Sequence, residues 1–242
     1  MPRRIAHFSA GAASAIAAKI SAPDEIWYAD TGGEDEDNER FLRDCEVWFG
    51  KPVIRQKSKK YASTWELWEK KNFLSSPYGA PCTGELKIKP QKEDERPDDI
   101  HIFGYTSDPN DVKRAHQMNA SFPDLQTEFP LIDRGLNKAA CLAMLYNAGI
   151  QPPRVYALGF PNANCIPCVK AQSPRYWALV RHHFPDQFER MAAIEARIGA
   201  KLIKIKGERV ALLDLPEDQD MTEPLAPACD FLCGLAEQEF SA

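Results

Sequence analysis

Along this chain, short apolar runs alternate with longer stretches in which apolar positions return every three or four residues. Arg4–Phe8 (RIAHF), Glu25–Ala29 (EIWYA), Pro52–Arg55 and Ile100–Phe103 have the length and composition of buried strands, and Val155–Leu158 reads as a fifth. Between them, Ala12–Ile20 is Ala-rich and favours helix. Asp37 or Asn38 can cap a helix running to about Trp48, with Phe41, Leu42 and Cys45 on one face. Ser63 and Glu66 have the spacing of a capping box ahead of Trp65, Leu67 and Trp68. Further helices open near Pro109 and at Asn137, the second ending before Gly149 and the pair Pro152 and Pro153.

Strand and helix alternating in this way predict an α/β fold, a mostly parallel twisted sheet with helices on both faces and ligands outside the carboxyl ends of its strands. Ser9, Asp30 and Gly104 fall at such ends. From Ser173 the character changes: RYWALVRHHF and DQFERMAAIEARIG are helical, and KLIKIKGERVALLDL reads as a hairpin turned near Gly207. The expected organisation is an α/β domain over 1–172 and a C-terminal helical and hairpin subdomain over 173–242, whose tail carries cysteines.

A chain of 242 residues with 44% hydrophobic content can bury one sizeable core and a small appendage. The net charge of −5 argues against a protein that coats nucleic acid. Arg3 and Arg4 followed by FSAGAASAIAA have the outline of a secretory signal, but Lys19 interrupts before a strongly apolar stretch develops. No run approaches the roughly 20 apolar residues that span a bilayer. A soluble, cytoplasmic protein with no membrane partner is expected.

Three segments carry candidate chemistry. In the first, Ser9–Ser14 (SAGAAS) lies between a strand and a helix, where small residues let backbone N–H groups approach an anion at the positive helix end and the two serine hydroxyls add donors. An ordinary strand-to-helix turn has the same composition. In the second, Cys165 and Cys168 form a CxxC that suits a metal, a cluster or a redox couple. In the third, Cys82 opens a short helix in which Lys87 and Lys89 follow the thiol, placed to neutralise an anion or simply to form a solvated basic face. Arg114, Arg134, Lys138 and Lys170 lie near strand ends or beside these motifs. Cys45 and Cys141 sit in helical patterns as core thiols.

Taken in order, FSAGAAS, YADTGGEDEDNERF, CTGELKIKP, GYTSDPNDVKRA and GFPNANCIPCVKA resemble the phosphoadenosine phosphosulfate (PAPS) reductase family of the PP-loop ATP pyrophosphatase superfamily, over about residues 5–170. The resemblance implies a phosphate- or sulfate-holding loop in which Ser9, Gly11 and Ser14 match SGGxxS and Ala10 replaces a glycine. It implies an adenosine-contacting element at Asp30, Thr31, Gly32 and Glu34, with Gly104 at a neighbouring strand end. Cys82, Cys165 and Cys168 would be ligands of a 4Fe–4S cluster, one thiolate short of the family's four unless Cys229 or Cys233 supplies it. LCGLA at Cys233 partly matches the family's C-terminal ECGLH, whose cysteine attacks the sulfonate, so Cys233 is the candidate nucleophile, with Lys87 and Arg114 as catalytic cations.

The expected activity is therefore a PAPS reductase-like oxidoreductase that binds PAPS or adenosine phosphosulfate (APS) and reduces or transfers its sulfur. A thioredoxin-like thiol donor and a homo-oligomeric state are the expected partners. Two alternatives stand beside it. One is an ATP- and Mg-dependent iron–sulfur sulfurtransferase that thiolates a nucleobase or other acceptor, nucleic acid being a partner only in that case. The other is a non-catalytic nucleotide-binding zinc module.

Overall fold

The structure, a computed structural model, describes residues 2–76 and 79–222. In chain order these form β1 (Arg4–His7), α1 (Ala12–Ser21), β2 (Glu25–Asp30), α2 (Asn38–Phe49), β3 (Val53–Lys57) and α3 (Thr64–Lys71). A π-helical turn over Thr83–Ile88 runs into α4 (Lys89–Lys92), followed by β4 (Ile100–Phe103), α5 (Pro109–Ser121), β5 (Gln126–Glu128), α6 (Pro130–Asp133) and α7 (Lys138–Asn147). The C-terminal part holds α8 (Pro174–His183), α9 (Pro185–Ile198), β6 (Ile203–Ile205) and β7 (Glu208–Val210).

The first five strands make one fully parallel sheet in the order β3-β2-β1-β4-β5, so β1 is central and the order reverses between β1 and β4. The register sets Ala6 beside Ile26 and Ile102, and these residues share a core with Phe8, Tyr28 and the Ala-rich face of α1. Phe41, Leu42 and Cys45 of α2 and Cys141 and Leu145 of α7 complete that layer. The helix expected over Ala12–Ile20 forms as α1, and its small side chains let it lie close to the sheet. The capping box also forms: Ser63 Oγ accepts from the Glu66 N–H at 3.2 Å, while Glu66 reaches back to the Ala62 N–H at 2.5 Å.

The fifth strand is not where the apolar pattern puts it. Val155–Leu158 forms no strand; Arg154–Tyr156 is a 3₁₀ turn, and its fully buried Val155 packs in a different core. The preceding Pro152 and Pro153 lack the N–H donors that a sheet ladder requires. The edge position is taken instead by Gln126–Glu128, a short polar segment paired parallel with β4 and tied to β1 by an ion pair between Glu128 and Arg4 at 2.6 Å. Edge strands need no apolar alternation, so this one carried no periodic signal.

A second core gathers Trp177, Val180, Phe188, Met191 and Ile203 with Trp68 and Leu74 from the region of α3 and with Val155, Phe160, Ile166 and Val169. The hairpin turned near Gly207 is present as antiparallel β6 and β7. Glu195 of α9 organises this end: its buried carboxylate accepts the backbone N–H groups of Leu202 and Leu212, each at 2.7 Å. Burial pushes its pKa up, and the two N–H bonds oppose that shift. Replacing Glu195 by Ala strands two buried donors and is expected to cost about 2–4 kcal/mol in urea unfolding. A loss below about 1 kcal/mol would show that water satisfies those groups instead.

Candidate functional site

The loop after β1 is built by backbone constraints and one serine. Ala10 adopts a left-handed conformation at φ 54°, which costs an L-residue about 1–2 kcal/mol, and its methyl group is fully buried. Gly11 is extended at φ −111° and caps α1. Ser14 Oγ donates to the Gly11 carbonyl at 3.0 Å and accepts from the Ser9 N–H at 3.1 Å. Its single proton being used there, the 3.1 Å contact between the two hydroxyls has Ser9 as donor. Both hydroxyls therefore brace the loop from within. The donors left for an anion are the backbone N–H groups of Ala13 and Ser14 in the first turn of α1, at the positive end of its dipole.

Gly104 fixes where those groups point. A Cβ there would lie 2.6 Å from Ser14 Cα and 2.7 Å from Ser14 N, so the end of β4 meets the first turn of α1 backbone to backbone. The N-terminus of α1 consequently opens at the reversal of strand order, the position at which doubly wound sheets bind ligands. Beside it, Tyr156 Oη accepts the Ala12 N–H at 3.2 Å, and the same oxygen would lie 3.3 Å from a Cβ on Gly11. The Lys138 ammonium lies 5.8 Å from the Tyr156 ring centroid and is held by the Pro161 carbonyl and by Asn162 Oδ1 at 2.5 Å. Burial lowers the Lys138 pKa. Tyr156 was missed in sequence because its segment read as a strand interior.

A second cluster gathers around the CxxC. Ile166 N–H bonds the Gly33 carbonyl at 2.8 Å, which docks the cysteine turn on the segment after β2. Gly32, at φ +61°, leaves only 2.6 Å between a Cβ and the Ala62 carbonyl, so that segment is held without a side chain. Thr31 is buried and faces Cys165, with Oγ1 and Sγ 3.1 Å apart, and it donates to Glu34 Oε1 at 2.5 Å. Cys165 Sγ lies 3.6 Å from the same carboxylate oxygen. Tyr176 Oη, accepting the Cys168 N–H at 2.6 Å, closes the turn from behind.

The charges in this pocket act on one another. Burial pushes the Cys165 thiol up to about 12, Glu34 adds to the shift, and Lys87 and the Thr31 hydroxyl oppose it. Burial likewise raises the Cys82 thiol against the pull of Lys170 and Lys87. For Lys87, burial disfavours the ammonium, but Cys165, Glu34, Cys82 and Cys168 together hold its pKa above the ordinary value. At neutral pH Lys87 is charged while the Cys165 and Cys82 thiols keep their protons.

Of the residues predicted to act, Cys82, Cys165, Cys168, Lys87 and Thr31 are brought into this one pocket. Asp30 points elsewhere: its carboxylate pairs with Lys57 at 3.0 Å and Arg55 at 3.6 Å and accepts the Gly32 N–H at 3.3 Å. Arg114 lies on α5, paired with Asp111 at 2.9 Å and stacked 4.6 Å over the Tyr105 ring. Cys229 and Cys233 lie outside the described residues. Among the described residues, no group of three or more His, Cys, Asp or Glu side chains is arranged to hold a metal ion. Cys82, Cys165 and Cys168 all lie within electrostatic reach of Lys87, and they are the thiols that would ligate a 4Fe–4S cluster if one were bound. No described helix is long and apolar enough to cross a membrane.

No family model and no curated protein matches the chain. Among solved structures it is similar to phosphoadenylyl-sulfate (PAPS) reductase from Candida auris, in a phosphate complex, with a TM-score of 0.51 and 13% sequence identity, covering 68% of this chain and 82% of that one. At that identity the likeness is one of fold alone, a PAPS reductase-like α/β fold.

Lys87 is the cation that draws both Cys165 and Cys82 toward the thiolate. In Lys87→Met, alkylation of Cys165 by iodoacetamide, followed at pH 8 by peptide mass spectrometry, is expected to slow at least about threefold. Faster alkylation in the variant would contradict the placement of that charge.

Proposed function

We propose that this protein is a PAPS reductase-like enzyme that holds the phosphate or sulfate end of an adenylyl sulfate at the first turn of α1 and processes its sulfur with cysteine thiols. The observation that carries the reading is the juxtaposition at the strand-order reversal: an anion-binding helix terminus, cleared by Gly104, opens beside Tyr156 and the segment that bears the CxxC. The similarity of fold to a PAPS reductase, whose structure was obtained with phosphate, supports it.

In this reading the backbone N–H groups of Ala13 and Ser14 bind the anionic group, since the Ser9 and Ser14 hydroxyls are engaged with each other and the Ala12 N–H is bonded to Tyr156 Oη. A thiolate attacks the sulfonate sulfur, the sulfur–oxygen bond to the nucleotide breaks, and the adenosine phosphate leaves with that electron pair. The S-sulfonate that forms is opened by a second thiol, releasing sulfite and leaving a disulfide for an external dithiol of the thioredoxin class to reduce. The buried pocket thiols are weak nucleophiles while protonated. Cys233, taken from the resemblance of LCGLA to the family tail, is the better candidate for the attack, with Lys87 as the cation facing the pocket thiols.

The test is turnover with three nucleotides in parallel. Incubated with dithiothreitol, the full chain is expected to release sulfite from PAPS or APS, and Cys233→Ser is expected to reduce that rate by at least about a hundredfold. Pyrophosphate release from ATP and Mg without sulfite would transfer the protein to the sulfurtransferase reading. Nucleotide binding with neither product would make it a binding module.

A further inference from the structure

Tyr156 has a place in this architecture that neither motif predicts. It ends the 3₁₀ turn between α7 and the cysteine segment, and its ring rests beside Lys138 while its hydroxyl reaches the mouth of the loop after β1. A phenol offers one O–H donor and two acceptor lone pairs. Here the oxygen receives the backbone N–H of Ala12 at 3.2 Å, from the anion loop, and faces that of Ala163, two residues before Cys165. The acceptor side of the hydroxyl is thus turned to two backbone donors, one on each motif. Burial holds the phenol above its ordinary pKa, so the proton is retained through the physiological range.

We propose that Tyr156 is a binding residue of the anion site: its O–H donates to the phosphate or sulfate held at the first turn of α1, while its oxygen stays bonded to Ala12 and Ala163. The assignment rests on the anion-binding role of that loop and deepens it. One hydroxyl then connects the anion, the loop and the segment leading to Cys165, so that filling the loop orders the cysteine turn. Lys138 reinforces the connection from the other side, gripping Pro161 and Asn162 of the same segment.

The role can be separated from simple bracing by the sign of one substitution. Tyr156→Phe keeps the ring and its packing, removes the donor, and frees the Ala12 N–H. If the hydroxyl only occupied that N–H, the variant would bind anions as well as the parent or better. If it donates to the ligand, binding weakens. Titrating the full-length parent and variant with inorganic phosphate and with adenosine 5′-phosphosulfate by calorimetry, we expect affinity to fall about tenfold in Tyr156→Phe. A second measurement uses the parent alone: saturating phosphate is expected to slow alkylation of Cys165 and Cys168 at least about threefold, as ordering of their segment requires.

Equal or tighter binding by the variant, or no protection in the parent, overturns the assignment while leaving the loop as an anion site. Failure of the parent to bind either probe overturns the functional reading itself, and this assignment with it.

Discussion

The structure turns on the contact of two backbones. Where β4 ends, Gly104 lies against Ala13 and Ser14 of α1 so closely that a single methyl group would sit 2.6 Å from a main-chain atom. No side chain separates the central strands from the first turn of the helix. The unpaired N–H groups of that turn are therefore held at the point where the strand order reverses, rather than lifted away from it. Much else follows from this placement: the buried methyl of Ala10 at a strained φ, the serine pair locked within the loop, and the Ala-rich face of α1 on the sheet.

The second organising feature is electrostatic. Cys165 is buried beside a carboxylate, which disfavours the thiolate, while Lys87 favours it at Cys165 and, together with Lys170, at the neighbouring thiol of Cys82. A pocket poised in this way resists ionisation in isolation and responds to any change of nearby charge, because in a weakly solvated site one charge is felt strongly by the next. Thr31 belongs to this balance. Its hydroxyl lies between Cys165 and Glu34, so the end of β2 supports the cysteine turn.

The sheet was legible in the sequence wherever burial imposed a pattern. β1, β2 and β4 are largely buried runs, α1 carries the small residues its close packing demands, and Ser63 with Glu66 announces the start of α3 through a local hydrogen-bond geometry. Gly207 likewise marks the hairpin of β6 and β7. What escaped was set by distant neighbours. Gln126–Glu128 becomes a strand only because β4 offers it an edge, and Val155 is apolar because a second core receives it, not because a sheet does. The candidate site divides the same way. Local motifs located the loop and the CxxC, whereas the inward use of the serine hydroxyls, the pairing of Asp30 with basic residues of β3 and the reach of Tyr156 to Ala12 depend on tertiary geometry that no spacing encodes.

The central claim is that an anion enters at the first turn of α1 and is felt by the cysteine segment through a shared contact. Backbone amide NMR during a titration with adenosine 5′-phosphosulfate addresses it directly. The largest shifts are predicted at Ala12, Ala13 and Ser14, with changes at Ala163 and Cys165 following the same midpoint. Shifts confined to other strand ends, or a cysteine segment that stays silent while the loop titrates, would contradict it.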